Sequence, residues 1–369
     1  MEDILLRSLS NVDLDWLLAQ GVRSQLTANT ELITPGQPQT HLYVLVEGQL
    51  AVQLAWADRQ NAKGSDATDR LTAGEMAGIS GLLGTEPLAH VSVLKGAQVL
   101  SIELAALHLK LQQDLDFAAH LYRCVAVVLS HRLRRLFEYQ GSIRAMQPGQ
   151  VRQVLSVFGE LQDSDIDWLV SFGMVHELGP EQTLLRAGRP VDAFYIVLDG
   201  CLEITAPPTG ITPIQLCFAN LNLPPSQWIA LTTISQGALP GIISFVDFSP
   251  LPVTIRTTTH CRLLAVPCDM LVTKLHVDRG FAARFYRIIA VQILELMQAI
   301  RDRLRDRHGI DAKAAAPPRA AIANFSTADT QAGPEGDTDQ TLDLEALQTL
   351  SEGGAKFNWM LQQLGGGYG

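Results

Sequence analysis

The chain has 369 residues, 47% of them apolar, and carries 38 acids against 28 lysines and arginines for a net charge of −10. That length and apolar share exclude a wholly disordered chain and leave room for two domains of ordinary size. The acidic balance argues against nucleic acid as a main partner, because duplex binding draws on clustered Lys and Arg.

The start, MEDILLRSLS, has no basic run ahead of an apolar core, so no signal peptide is expected. No stretch approaches the ~20 uncharged apolar residues that span a bilayer, so no membrane insertion is expected. Residues 9–52 lie over residues 161–204 without a gap, at an offset of 152. Asp15-Trp16-Leu17, Gly21, Gly36, Pro38, Tyr43 and Gly48 recur as Asp167-Trp168-Leu169, Gly173, Gly188, Pro190, Tyr195 and Gly200. The chain therefore reads as a duplicated domain. In each copy acids (Asp13 and Asp15; Asp165 and Asp167) open a short helix ending at the glycine, where the helix dipole favours carboxylates. These acids are read as helix-start residues beside a buried Trp, not as metal or acid–base carboxylates.

Short strands with turn signals follow, LYVLVEGQLAV and FYIVLDGCLEI, and then a glycine-led loop, GISGLLGTEPLAHVSV at residues 78–93 and its twin at 241–256. Each copy then closes on a long amphipathic helix, 117–139 and 281–306. The apolar stripe Phe117, Leu121, Val125 and Val128 predicts self-association, a homodimer through the closing helices. The basic run SHRLRRLFEY at the end of the first helix reads as a solvated face. Five scattered cysteines (Cys124, Cys201, Cys217, Cys261, Cys268), with no Cys-x-x-Cys, predict reduced, buried thiols in a cytoplasm. Residues 309–340 are rich in Ala, Pro, Gly and Thr and predict a disordered linker. Beyond it, Phe357, Met360, Leu361 and Leu364 fall on one helical face, a docking peptide for a protein partner or for the chain's own body. The segment LQTLSEGG is similar to the double-glycine leader of exported bacterial peptides, with its hydrophobics one residue out of register.

A short helix, strands around LYVLVEG, a glycine-led cassette and a closing helix, twice in register, resemble the cyclic nucleotide-binding domain. That is the module of the catabolite activator family and of the regulatory subunit of the cAMP-dependent protein kinase. The resemblance implies a mainly β fold with α: two β-barrels of jelly-roll type, each followed by a long amphipathic helix, plus the disordered C-terminal tail. The expected domains are 1–145 and 146–308, followed by the linker 309–340 and the peptide 341–369. No room remains after the second closing helix for a helix-turn-helix, which argues against a transcription factor.

In the family the cassette carries a Glu that binds the ribose 2′-hydroxyl and an Arg that pairs with the cyclic phosphate. Aligned at Gly78, the first cassette has Ile79 at the Glu position and Leu88 at the Arg position, with Ala89 following. Aligned at Gly241, the second has Ile242 and Leu251, with Pro252 following. Arg256 stands five residues beyond the Arg position, on the next strand, facing away by alternation. A buried phosphate without its guanidinium loses roughly 3–5 kcal/mol, two to four decades of affinity. Both pockets are therefore expected to be degenerate, apolar or filled, and cyclic nucleotide is not expected to bind tightly.

No Walker loop, Gly-x-Ser-x-Gly or His-Glu-x-x-His is present, so no catalytic residue, metal or cofactor is expected. The reading is a cytoplasmic, bacterial, non-enzymatic regulatory or scaffold protein that engages a protein partner. Two alternatives stay open: a sensor of a cyclic nucleotide or other small molecule, and an accessory of a peptide-export or protein-compartment system.

Overall fold

The computed structural model describes residues 4–54, 68–85, 87, 89–139, 158–208, 211, 213–218, 227–307 and 344–365. The expected linker and Leu88 lie outside these residues.

The sequence repeat is a repeat of elements. The first half runs α1 (Ile4–Ser8), α2 (Asn11–Gln20), β1 (Val22–Leu26), β2 (Glu31–Ile33), β3 (His41–Leu54), β4 (Thr68–Leu71), β5 (Met76–Ala77), α3 (Ile79–Leu82), β6 (Ala89–Glu103), α4 (Leu104–Gln113) and α5 (Leu115–Tyr139). The second half runs α6 (Asp163–Phe172), β7 (Met174–Leu178), β8 (Thr183–Leu185), β9 (Ala193–Asp199), β10 (Leu202–Ala206), α7 (Pro213–Phe218), β11 (Ile229–Ile234), α8 (Ile242–Asp247), β12 (Thr254–Thr257), β13 (Cys261–Pro267), α9 (Cys268–Val277) and α10 (Arg279–Arg307). A C-terminal helix, α11 (Leu344–Gln363), stands apart in sequence. The offset of 152 holds through β10 and becomes 163 between Gly78 and Gly241. The extra chain falls between β10 and β11, where α7 lies.

All strand pairs are antiparallel. The first half forms one sheet ordered β1-β6-β3-β4, with β2 added to β6 and β5 to β3. The second half forms two sheets, β11-β10-β12-β8 and β7-β13-β9. Among the described residues these ladders do not close into barrels, and helix exceeds strand in amount. The repeated turn glycine explains itself: Gly48 (φ +95°) and Gly200 (φ +92°) are left-handed, and a Cβ would meet Ala97 Cα at 2.8 Å or Cys261 Cα at 2.9 Å.

The opening acids cap their helices and then reach the closing helix. Asp13 forms a capping box with Ser10 and lies 2.8 Å from His120 Nδ1 on α5. Asp165 accepts from the Gln162 backbone N–H (2.8 Å) and takes a two-point fork from Arg284 on α10 (2.7 and 3.0 Å). Trp16 meets Phe117 edge-on at 5.1 Å, and Trp168 lies 5.8 Å from Phe281.

α5 and α10 pack along each other, and one apolar core runs through both halves. Phe117, Leu121, Val125 and Val128 are buried in it, as are Phe281, Phe285, Ile289 and Ile293. Each such side chain contributes roughly 1.5–3 kcal/mol by leaving water. The stripe from which a homodimer was expected is covered inside the chain, where the second copy of the domain supplies a partner helix.

Two further expectations change. The thiols are only partly buried as a set: Cys124 and Cys261 are buried, Cys201, Cys217 and Cys268 half-buried, and all five are free. The basic run of α5 is not solvated but bonded to both halves, as described below.

Candidate ligand pockets

Each cassette starts on a left-handed glycine and turns straight into a short helix. Gly78 has φ +95° ahead of α3, and Gly241 has φ +79° ahead of α8. Close approach also demands glycine here, since a Cβ would come within 2.8 Å of the His41 carbonyl at Gly78 and 2.5 Å of Leu185 Cδ1 at Gly241. The two loops begin alike in conformation as well as in sequence.

The first cavity, about 70 Å³, is lined by Gly78, Ile79, Ser80 and Ala89 of the cassette, and by Leu129 and Arg132 of α5. Leu294 and Met297 of α10, from the other half, complete its wall. The second cavity, about 50 Å³, is lined by Gly241, Ile242 and Leu251, with Leu133 and Phe137 of α5 crossing over from the first half. Gln292 and Glu295 of α10 supply its polar edge. For comparison, a cavity of roughly 150 Å³ is what holds a benzene ring. Ile79 and Ile242 are buried (3% and 5% exposed), as are Ala89, Leu251 and Pro252. Of the cassette positions singled out in the sequence, Gly78, Ile79 and Ala89 therefore meet at one cavity, and Gly241, Ile242 and Leu251 at the other. Pro252 is buried beside the second without lining it.

The remaining candidate groups sit elsewhere. Arg256 does not line the second cavity; its guanidinium donates to the Glu181 carbonyl at 3.0 Å and lies 3.5 Å from the Glu181 carboxylate. Among the described residues no cluster of His, Cys, Asp and Glu is arranged to hold a metal, and no helix is long and apolar enough to cross a membrane. Burial pushes the Cys124 thiol up to about 12 and the Cys268 thiol up to about 11, so neither is a ready nucleophile. The C-terminal peptide is docked on the chain itself. Phe357, Met360 and Leu361 are buried against the second half, with Phe357 edge-on to Phe158 at 5.0 Å. Leu364 is half-buried beside them, and its carbonyl accepts from Arg262 at 3.3 Å. Lys356 Nζ donates to the carbonyls of Gly159 and Leu161 at 3.2 and 2.7 Å.

Sequence reasoning missed the helix residues that finish both pockets: Arg132, Leu133 and Phe137 on α5, and Leu294, Glu295 and Met297 on α10. The one available signal was three arginines in four positions of an apolar helix, Arg132, Arg134 and Arg135.

A family model described as the cyclic nucleotide-binding domain matches residues 23–114 and 175–275, together just over half of the chain. Among solved structures, the cAMP-bound PfPKA-R (141-441) is 11% identical, with 84% of this chain and 88% of that chain covered and a TM-score of 0.29. The regulatory domain of Toxoplasma gondii PKA with cAMP is 14% identical over 83% of this chain and 92% of that one, with a TM-score of 0.27. The regulatory subunit of a cAMP-independent protein kinase A from Trypanosoma cruzi, bound to guanosine, is 14% identical over 76% and 86%, with a TM-score of 0.25. No curated protein matches the chain. With both matched segments spanning the strands, the cassette and the helix that precedes the closing helix, the chain belongs to the cyclic nucleotide-binding domain family and carries its domain twice.

Proposed function

We propose that this protein is a non-enzymatic regulatory or scaffold module whose two cassettes have lost the groups that hold a cyclic nucleotide. The observation that carries the reading is the state of both pockets. The ribose-binding position is a buried isoleucine in each, and the phosphate-binding position of the second is buried Leu251. What remains is about 70 and 50 Å³, walled by the closing helix of the opposite half. A phosphate pushed into the second cavity meets apolar side chains and the Glu295 carboxyl, which leaves its charge unpaired. Free thiols at all five cysteines support a cytoplasmic, reducing setting. The module engages a protein partner, and α11 is the element suited to it, because a helix far along the chain from the halves, seated among its described residues by Phe357, Met360 and Leu361, can exchange its own groove for another.

Isothermal calorimetry with cAMP and cGMP at roughly 100-fold above a micromolar Kd tests the reading. No saturable heat is expected from the full chain. A second reading, a sensor in the first half alone, draws on Arg132, which brings a guanidinium to the first cavity. Saturable binding that disappears in Arg132→Ala supports that alternative; binding that survives it overturns both readings.

A further inference from the structure

The end of α5 is threaded between the two cassettes, and its polar side chains divide between them. Toward the second half, Ser130 Oγ lies 3.0 Å from an Asp247 carboxylate oxygen and 3.2 Å from the Ile243 carbonyl. Arg134 forks onto Asp247, Nε at 2.6 Å and Nη2 at 2.8 Å. The same guanidinium donates to the carbonyls of Ser249 (3.1 Å) and Pro250 (2.7 Å) and to Ser244 Oγ (3.2 Å). These partners lie in α8 and in the turn that follows it. Toward the first half, Arg132 donates to the Met76 carbonyl and Arg135 pairs with Glu75 at 3.0 Å, immediately ahead of Gly78. The other Glu75 oxygen accepts from the Thr72 backbone N–H (2.7 Å) and hydroxyl (3.1 Å).

Both carboxylates are out of water's reach, with Glu75 and Asp247 side chains only 1% and 3% exposed. A buried charge that loses its partner is strongly destabilising. Asp247 therefore cannot part from Arg134 and remain buried; if α8 moves, the end of α5 moves with it. Residues 132–135 lie within little more than one helical turn, whose backbone bonds fix them relative to one another. Displacing Arg134 then pulls Arg132 and Arg135 away from Met76 and Glu75. The apolar walls are crossed in the same sense, with Leu133 and Phe137 over the second cavity and Leu294 and Met297 over the first.

We infer that residues 130–137 of α5 are a single clasp joining the two cassettes, so that neither α3 nor α8 leaves its closed position without releasing the other. The clasp is the two-state element that such coupling needs, and the coupling is reciprocal by linkage. It stands whether or not either cavity takes a ligand, so its test is separate from calorimetry.

Hydrogen exchange on the full chain reads it directly. Asp247→Asn, which keeps the shape of the side chain but loses the charge pair, should speed amide exchange in α8 by about tenfold or more. It should also speed exchange by a similar factor at residues 76–82, where nothing has been altered. Asp165→Asn is the matched control: it breaks a buried pair of the same kind, between α6 and Arg284 of α10, that includes no residue of either cassette. That variant should loosen α6 and leave residues 76–82 as in the parent chain. Loss of protection confined to α8 in Asp247→Asn overturns the clasp, and so does equal loosening of residues 76–82 in both variants. If Asp247→Asn does not fold, Arg134→Lys keeps the charge without the fork. Faster exchange in both α8 and residues 76–82 of that variant supports the clasp, and faster exchange in α8 alone overturns it.

Discussion

Glu295 faces the second cavity from α10, and burial pushes its carboxyl from an ordinary 4.5 up to about 7. Below pH 4.5 the group is neutral folded and unfolded alike. Between there and about pH 7 the unfolded carboxyl ionises while the folded one keeps its proton, so stability falls as pH rises through that window and stays lower above it. The charged groups on neighbouring elements belong to other pairs, Arg134 to Asp247 above all. Glu295→Gln should therefore raise the thermal midpoint at pH 8 by roughly 2–4 °C and leave it nearly unchanged at pH 4. Equal midpoints at pH 8 would show that the carboxyl is hydrated in the folded state. Nothing in the sequence around Glu295 marks it: it is one acid on an amphipathic helix, and only the approach of Leu133 and Phe137 from the other half of the chain makes its surroundings dry. The cassette residues are the opposite case. Ile79 and Ile242 are legible because a glycine that must be left-handed pins the alignment on both sides of the repeat.

At the scale of elements, the sequence pattern served best where a periodicity has a single physical cause. The opening helices end at Gly21 and Gly173, and the closing helices run 115–139 and 279–307 against the expected 117–139 and 281–306. The C-terminal helix shows where periodicity stops short, because an apolar stripe says that a face will be buried without saying by what. Here it is α6 and the helical residue Phe158 ahead of it. Phe357→Ala should loosen it: a Phe to Ala change in a core costs about 3–5 kcal/mol, and Phe357 is the largest side chain this helix buries among the described residues. Limited proteolysis should then cut within 344–363 at least tenfold faster while the two halves stay protected. Unchanged cleavage means that Lys356 and the Met360–Leu361 contacts hold the helix without the ring.

For the whole molecule, the duplication has a consequence for assembly. Two closing helices with matching apolar faces, carried on separate chains, would predict a dimer; carried on one chain, they satisfy each other. Sedimentation velocity at tens of micromolar should give a single species near the chain mass of 40.2 kDa. A stable species of twice that mass would mean that some other surface associates. Cutting the chain between the halves tests the same packing from the other side. Either half alone exposes the face of α5 or α10 that the other half covers, so each should aggregate or pair, not persist as a monomer.

The amino-acid sequence by itself determined the duplication, the order of elements in each copy, the two glycine-led cassettes and the apolar residues within them. These are local or register-bound features, set by residue conformation, helical period and a constant offset. Only the tertiary structure decided that each closing helix walls the other half's cavity, that the arginines of α5 divide between two cassettes, and that the C-terminal helix lies on its own chain. Those contacts join residues 56 or more positions apart. Burial of apolar surface is non-directional, so it drives such faces together without writing in either one which partner it will meet.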